Sequence, residues 1–430
     1  MSKILVHTDV VPFGEYDIFH KTNHEKMQEL IPRIYGGNCP NFGNRLWFQG
    51  IISEITTEEN VIDYWDASKS IEEINSQYDM VIAPMANVFS LGFKGLLDKL
   101  AQRFARITIP IYVIACGVQA DSYDDLEKLY NAIKEPAARF IRSVYNSGGE
   151  FALRGFFSKE FFDRMGFHSA VVTGCPSLYQ LGRKSMVASD FSRAKMCDFT
   201  PIVNGKLKDC LPYLLEYPQC QFFDQHTYYD LIYEKYFNQE NLSLASTAKL
   251  IKKYGLQELK MLASNRVKLF PDMADWMNFI REEGFQFSFG SRIHGSIMPI
   301  LAGIPAVVNV CDSRTREMAE FFHIPMVVHA ADQREVVDLY EIYQNVDYSE
   351  FNQNYEKNFD HFERFLQVHG IVKQINTNNI FFSSSPDAES ADNVNYRGLA
   401  AMKQFLEKHR FSLALYDSVL QISRKVRGLA

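Results

Sequence analysis

The chain has 430 residues, 47% hydrophobic and 14% aromatic, enough to bury more than one core, so two domains are expected. A net charge of −7 and a pI near 5.9 argue against DNA or RNA as partner, because nucleic-acid binders carry a basic face. Seven cysteines with no CxxC pair fit reduced thiols. The start MSKILVHTDVV has no charged-then-apolar leader, and no apolar run approaches the ~20 residues of a membrane span, so a soluble cytoplasmic protein is expected.

In chain order, Lys3 to Val10 reads as a buried strand, and the polar segment Pro12 to Glu29, without a clear period, as a loop or lid. In IYGGNCPNFGNRLWFQGIISEIT, Gly36, Gly37 and Gly43 and the amides Asn38, Asn41 and Asn44 precede an amphipathic helix from about Arg45 to Ile55. Glycines admit a ligand close to the backbone and amides both donate and accept, although both residue types also simply form turns. Strand-like runs then alternate with helix-like ones. Asp79 to Ala83, Ile109 to Cys116, Phe151 to Arg154 and Ala170 to Thr173 read as strands. The helices are expected near Gly95 to Phe104, Asp124 to Val144 and Ser158 to Met165. This is the pattern of a doubly wound parallel sheet, whose ligands sit at the carboxyl ends of strands. Polar motifs fall at such ends: Gly117, Val118 and Gln119 after one strand, Arg154 at the end of another, and Gly174, Cys175, Pro176 and Ser177 after a third.

From Phe191 to Asp209 the periodicity fades. A second alternation then begins with a strand at Gln219 to Asp224 and helices near Tyr228 to Tyr236 and Thr247 to Tyr254. It continues with a strand at Arg266 to Phe270, a helix over Pro271 to Glu283, and a closing strand at Met326 to His329. Within it, SFGSRIHGSIMPILAGIPAVV spells a buried strand, a tight turn and a helix. The turn carries Ser291, Arg292, His294 and Gly295, so a cation and an imidazole sit where helix-start amides point outward, a natural anion site. An aromatic-rich helix at Ser349 to His369 leads into the polar NTNNIFFSSSPDAESADNVN, read as a loop or linker. A final helix over Arg397 to Val426 ends on Arg424, Lys425 and Arg427, either a solvated face or a contact with an anionic membrane.

The expected fold is thus α/β, with two doubly wound Rossmann-like domains facing a cleft, a GT-B-like arrangement. Residues 1–190 form the N-terminal domain, 191–375 the C-terminal one, and 376–430 a linker and a helix packing back. Several motifs in order also carry a family likeness: GNCPNFGN, CGVQADS, LRGFFSKEFFDRMG with VVTGCPSLY, and SFGSRIHGSIMPILAGIPAVV followed by NVCDSRTREMAEFFHIP. Together they resemble the polysaccharide pyruvyl transferases over roughly Gly36 to Pro325.

The resemblance implies a GT-B-like enzyme that moves the enolpyruvyl unit of phosphoenolpyruvate onto two hydroxyls of a sugar, forming a pyruvate ketal and releasing phosphate. It implies no cofactor and no metal. It places donor binding at Arg154, Arg292 and His294, helped by Ser291 and Gly295, and at Arg314, where the family more usually has lysine. Guanidinium groups suit a small donor carrying both a carboxylate and a phosphate. Histidine has the unperturbed pKa for a general acid near pH 7, which makes His294 the expected proton donor. Asn38, Asn41, Asn44, Gln119 and Ser177 are expected on the acceptor side. The family often has an aspartate at the position of Asn44, so Asp9, at the end of the first strand beside His7, is the alternative base. Cys175 reads as structural. The acceptor is a sugar of a cell-surface polysaccharide precursor, lipid-linked or free. The same architecture also fits a nucleotide-sugar glycosyltransferase or a non-catalytic glycan-binding relative, and the sequence does not specify an oligomeric state.

Overall fold

The computed structural model describes residues 1–7, 41–65, 69–188, 191–232, 242–270, 272–329, 336–379, 382 and 396–426. Asp9, Asn38, the segment Pro12 to Glu29, Gly36, Gly37, Arg427 and most of the polar stretch before the last helices lie outside these residues.

The first half begins with β1 (Ser2–His7), α1 (Gly43–Ile55), β2 (Asn60–Trp65), α2 (Ile71–Gln77), β3 (Met80–Pro84), β4 (Phe89–Ser90) and α3 (Lys94–Phe104). It continues through β5 (Ile111–Cys116), β6 (Val118–Gln119), α4 (Leu126–Asn146), β7 (Glu150–Leu153), α5 (Phe156–Arg164) and β8 (Val171–Val172). Six of these strands form one parallel sheet in the order β2-β1-β3-β5-β7-β8, while β4 and β6 pair separately. Helices cover both faces, which is why Ile4, Leu5 and Val6, and likewise Val81, Ile82 and Ala83, are consecutive and all fully buried.

The second half opens with β9 (Pro201–Asn204), α6 (Leu207–Glu216), β10 (Gln221–Asp224), α7 (Tyr229–Ile232), α8 (Leu244–Tyr254), α9 (Leu256–Ala263) and β11 (Val267–Leu269). After these come α10 (Met273–Glu282), β12 (Phe287–Gly290), α11 (Ile293–Leu301), β13 (Ala306–Asn309), α12 (Ser313–Phe322) and β14 (Met326–Val327). Its parallel sheet runs β11-β10-β9-β12-β13-β14. The chain winds outward from β9 in one direction, then restarts at β12 and winds in the other. The switch point between β9 and β12, where such sheets open a crevice, lies at Asn204 opposite Gly290.

α13 (Leu339–Asn345) and α14 (Ser349–Val368) come next. α14 returns to the first sheet: Phe362 stacks on Tyr179 at 5.0 Å, Tyr355 donates a 2.5 Å hydrogen bond to Leu178 O, and His369 meets Tyr112 at 4.8 Å. The two doubly wound halves are thus clasped by one helix across a cleft, the GT-B-like arrangement. Last come α15 (Tyr396–Lys408) and α16 (Arg410–Val426). They are two helices broken at His409, where the sequence predicts one.

Several elements go beyond the expected ones, among them β9, inside the stretch where the periodicity fades, α6, which starts at its end, and β2, which pairs with β1 as an edge strand. β9 is only four residues long and opens on proline, tolerated at a strand's first position. His7, polar at the end of the first strand, turns inward. It lies against Trp65 and Phe104, ring centroids 5.0 and 4.9 Å away, and burial, then the Arg103 charge, pushes its pKa down to about 3. It is an aromatic-core residue.

Candidate active site

Asn204, at the end of β9, holds the turn after β12. Its backbone oxygen accepts from Ser291 N at 3.1 Å and its Oδ1 accepts from Arg292 N at 2.8 Å. Gly290 and Gly295 pack so tightly on it that a Cβ would come within 2.2 and 2.6 Å of its atoms. Glycine at both places lets the turn close over Asn204 and aims Arg292 and the start of α11 outward from the switch point.

Arg154 approaches from the other half, directly after β7. β5 beside it carries a register shift between Val113 and Cys116, and Ala115 sits in the left-handed region at φ 63°. Such a bulge re-aims the neighbouring side chains: Arg154 N donates to Cys116 O at 2.9 Å, and the Arg154 side chain packs against Gly117, where a Cβ would be 3.1 Å from its Cδ. Arg154 is 2% exposed, and its Nε and Nη2 have no hydrogen-bond partner among the described residues. Leaving buried charged donors unpaired is costly, and a site that meets an anion explains why they are kept.

The start of α12 stitches the halves together beside Arg154. Ser313 N donates to Ala120 O at 3.1 Å, while Ser313 Oγ accepts from Ala120 N at 2.9 Å and donates to Val118 O at 3.2 Å. One turn later, Glu317 reaches across to the first turn of α5, accepting from Ser158 N at 3.0 Å and from Ser158 Oγ at 2.9 Å. A carboxyl group from one domain thereby caps a helix of the other. Burial is the main reason its pKa is raised to about 7, opposed by the Ser158 hydrogen bonds and the nearby charge of Arg154. Arg314 lies between these two anchors and is forked onto Asp312 Oδ2 through Nε at 3.0 Å and Nη2 at 2.6 Å.

A second contact closes the far side, where Phe42 N, just before α1, donates to Gln225 O at 2.8 Å after β10. His226 is the next residue. Burial lowers its proton affinity, Asp224 raises it and Arg292 lowers it again. His294 sits among the cations. It is buried, its Nε2 has no hydrogen-bond partner among the described residues, and its pKa is held far below the usual histidine range by burial first, then by Arg154, Arg314 and Arg292.

The charges of arginines predicted on separate jaws therefore all reach His294, and Ser291 and Gly295 belong to the same turn. Two expectations change. His294 is neutral at pH 7, because burial and three positive charges oppose a fourth, so it is not by itself the acid its unperturbed pKa suggests. Ser177 is fully buried and donates to Cys175 Sγ at 3.1 Å, so it faces the interior and not an acceptor. Asn41 caps the start of α1, its Oδ1 accepting from Gly43 N at 3.0 Å, and Asn44 N donates to Asn41 O at 2.9 Å. Gln119 lines a pocket of about 380 Å³ with Asn87, Phe93, Asp121, Asp125 and Lys128. Its Oε1 accepts from Asn87 Nδ2. Asn204, His226, Ser313 and Glu317 join the site without having been expected there. Of these, Glu317 has a sequence signal, a carboxylate on the apolar face of the helix that carries Arg314.

Two doubly wound α/β halves meeting over a cation-lined cleft define the class. The profile of the family described as polysaccharide pyruvyl transferase matches residues 39–313. The chain belongs to the polysaccharide pyruvyl transferase family. No curated protein matches it by sequence. Among solved structures it is similar to the Staphylococcus aureus MnaA–UDP co-structure, with 12% identity, 87% of this chain and 98% of that one covered, and a TM-score of 0.38. A putative UDP-N-acetylglucosamine 2-epimerase from Listeria monocytogenes shows 11% identity over 86% of this chain and 96% of that one, TM-score 0.38. The Neisseria meningitidis UDP-GlcNAc 2-epimerase bound to UDP-GlcNAc gives 10% over 96% and 100%, TM-score 0.33. At these scores the likeness carries no argument about activity.

Proposed function

We propose that the protein transfers the enolpyruvyl unit of phosphoenolpyruvate to two hydroxyls of a sugar in a cell-surface polysaccharide precursor, free or lipid-linked, forming a cyclic pyruvate ketal and releasing phosphate. The observation that carries this reading is the buried Arg154, with unpaired Nε and Nη2, converging with Arg292 and Arg314 on a neutral His294. A small donor bearing a phosphate and a carboxylate offers oxyanions to the unpaired donors of Arg154 and to Arg292, and planar guanidinium groups grip both.

Donor charge entering the cluster offsets the repulsion that keeps His294 neutral, so its proton affinity rises when the donor is bound. His294 then delivers a proton to the methylene carbon, leaving an oxocarbenium-like carbon that the first hydroxyl attacks. The second hydroxyl displaces phosphate from the same carbon. The carbon skeleton gains one proton, the two hydroxyls lose two, and phosphate leaves with the C–O electrons and one proton. The fixed arginines stabilise the charge growing on the phosphate, typically the largest catalytic contribution.

The test is phosphate release. Phosphate is expected only when phosphoenolpyruvate and a competent sugar diol are both present, and a purified protein that does not bind phosphoenolpyruvate at millimolar concentration overturns the reading.

The acceptor fits the pocket beside Gln119, where the ring of Phe93 offers an apolar face and Asn87, Asp121 and Lys128 offer hydroxyl partners. Phe93→Ala and Asp121→Asn are expected to raise the acceptor KM about tenfold, the loss of one or two polar or stacking contacts, while phosphoenolpyruvate affinity stays unchanged. An acceptor KM equal to wild type in both variants would move the acceptor elsewhere.

A further inference from the structure

α16 has two apolar sides. One faces inward: Leu413 is buried, and Tyr416 and Leu420 pack against the core. The other carries Phe411, Leu415, Val419 and Ile422, which are 57–78% exposed. At 100° per residue these four fall within an arc of about 80°, so they form one continuous ridge along the outside of the helix. An ordinary surface helix is polar there, and a ridge of large apolar side chains marks a contact surface.

Charge says what the ridge contacts. Residues 396–426 hold six cations, Arg397, Lys403, Lys408, Arg410, Arg424 and Lys425, against Glu407 and Asp417. The adjoining α8 adds Lys249, Lys252 and Lys253 with no carboxylate, and Arg424 Nη2 ties the two helices by donating to Lys252 O at 2.8 Å. The chain as a whole is −7, so this corner is positive against an acidic remainder. A symmetric dimer through the ridge would set the same cations against each other. An apolar ridge on a lysine- and arginine-rich pair of helices suits an anionic lipid surface, with the ridge among the acyl chains and the cations at the headgroups.

We propose that the α8–α16 face docks the protein peripherally on anionic bilayers. Among the described residues no helix is long and apolar enough to cross a membrane, so the attachment is by this surface. It rests on the surface alone and holds or fails independently of the pyruvyl chemistry.

The experiment is flotation of the full chain with phosphatidylglycerol-containing vesicles and with pure phosphatidylcholine vesicles. Binding is expected to the anionic vesicles only and to weaken at least tenfold between 50 and 500 mM salt, numbers set by screening of about ten cations. The double variant Phe411→Ser/Ile422→Ser and the charge variant Lys252→Glu/Lys425→Glu are each expected to cut bound protein about tenfold, with wild-type thermal unfolding. The proposal is overturned if wild type stays with the soluble fraction, or if both folded variants float like wild type. It is equally overturned if light scattering shows a dimer that Phe411→Ser/Ile422→Ser dissociates.

Discussion

Arg292→Ala is expected to abolish phosphate release from phosphoenolpyruvate and weaken donor binding by roughly 10²–10⁴-fold, while thermal stability stays level or rises. The magnitude comes from losing one guanidinium and the two or so charge-assisted hydrogen bonds it offers an oxyanion, each worth about 1.5–3 kcal/mol. The stability half of the expectation separates a site residue from a structural one. Among the described residues Arg292 makes no ion pair. Its backbone N is held by Asn204 Oδ1, a bond that alanine keeps, and its charge depresses the proton affinity of both His226 and His294. Removing it relieves repulsion among the clustered cations, as expected where function is held at some cost in stability. Titration with phosphoenolpyruvate and a thermal melt on the same sample decide it. Lost donor binding with an unchanged or higher melting temperature supports the assignment, and a wild-type affinity sinks it.

The convergence of Arg154, Arg292, Arg314 and His294 is legible in the sequence because each lies at the end of a strand or the start of a helix whose apolar run is local and unambiguous. Doubly wound topology then sends all such ends to one side. Asn204 is not legible, although it holds the turn, because a four-residue strand opened by Pro201, with Gly205 and Lys206 directly after it, has no period to read. Ser177 departs from its expected place for a related reason. β8 is only two residues long, and the buried turn Pro176–Leu178 after it packs between α1 and α11, which takes Ser177 into the interior. His7 looks polar at a strand end, and only the arrival of Trp65 and Phe104 from distant elements shows it to be core. The pairing of Glu317 with Ser158 spans 159 residues, and no local pattern encodes a helix cap supplied by another domain.

That same cap yields the second expectation, a pH dependence that Glu317→Gln removes. In the unfolded chain Glu317 releases its proton near its ordinary value of 4.5, and in the folded protein only near 7. Between these values the folded state holds a proton the unfolded state has lost, so this group's contribution to stability is complete below pH 4.5 and is lost as pH rises through about 7. At about 1.4 kcal/mol per tenfold in proton affinity, the window is worth about 3 kcal/mol. Glutamine keeps the carbonyl that accepts from Ser158 N and never ionises. The variant should therefore match wild type near pH 4.5 and be the more stable protein at pH 8, a gap read from melting temperatures across the range. Donor binding should take the same course. Above pH 7 the ionised carboxylate places a negative charge near Arg154 and weakens the grip on an anion, so wild-type affinity for phosphoenolpyruvate declines relative to the Glu317→Gln protein. The donor's own titration is common to both proteins and cancels in the comparison. Parallel stability and affinity profiles for the two proteins from pH 5 to 8.5 would show that Glu317 does not titrate there, and the pH-dependent proton at the domain seam would have to be given up.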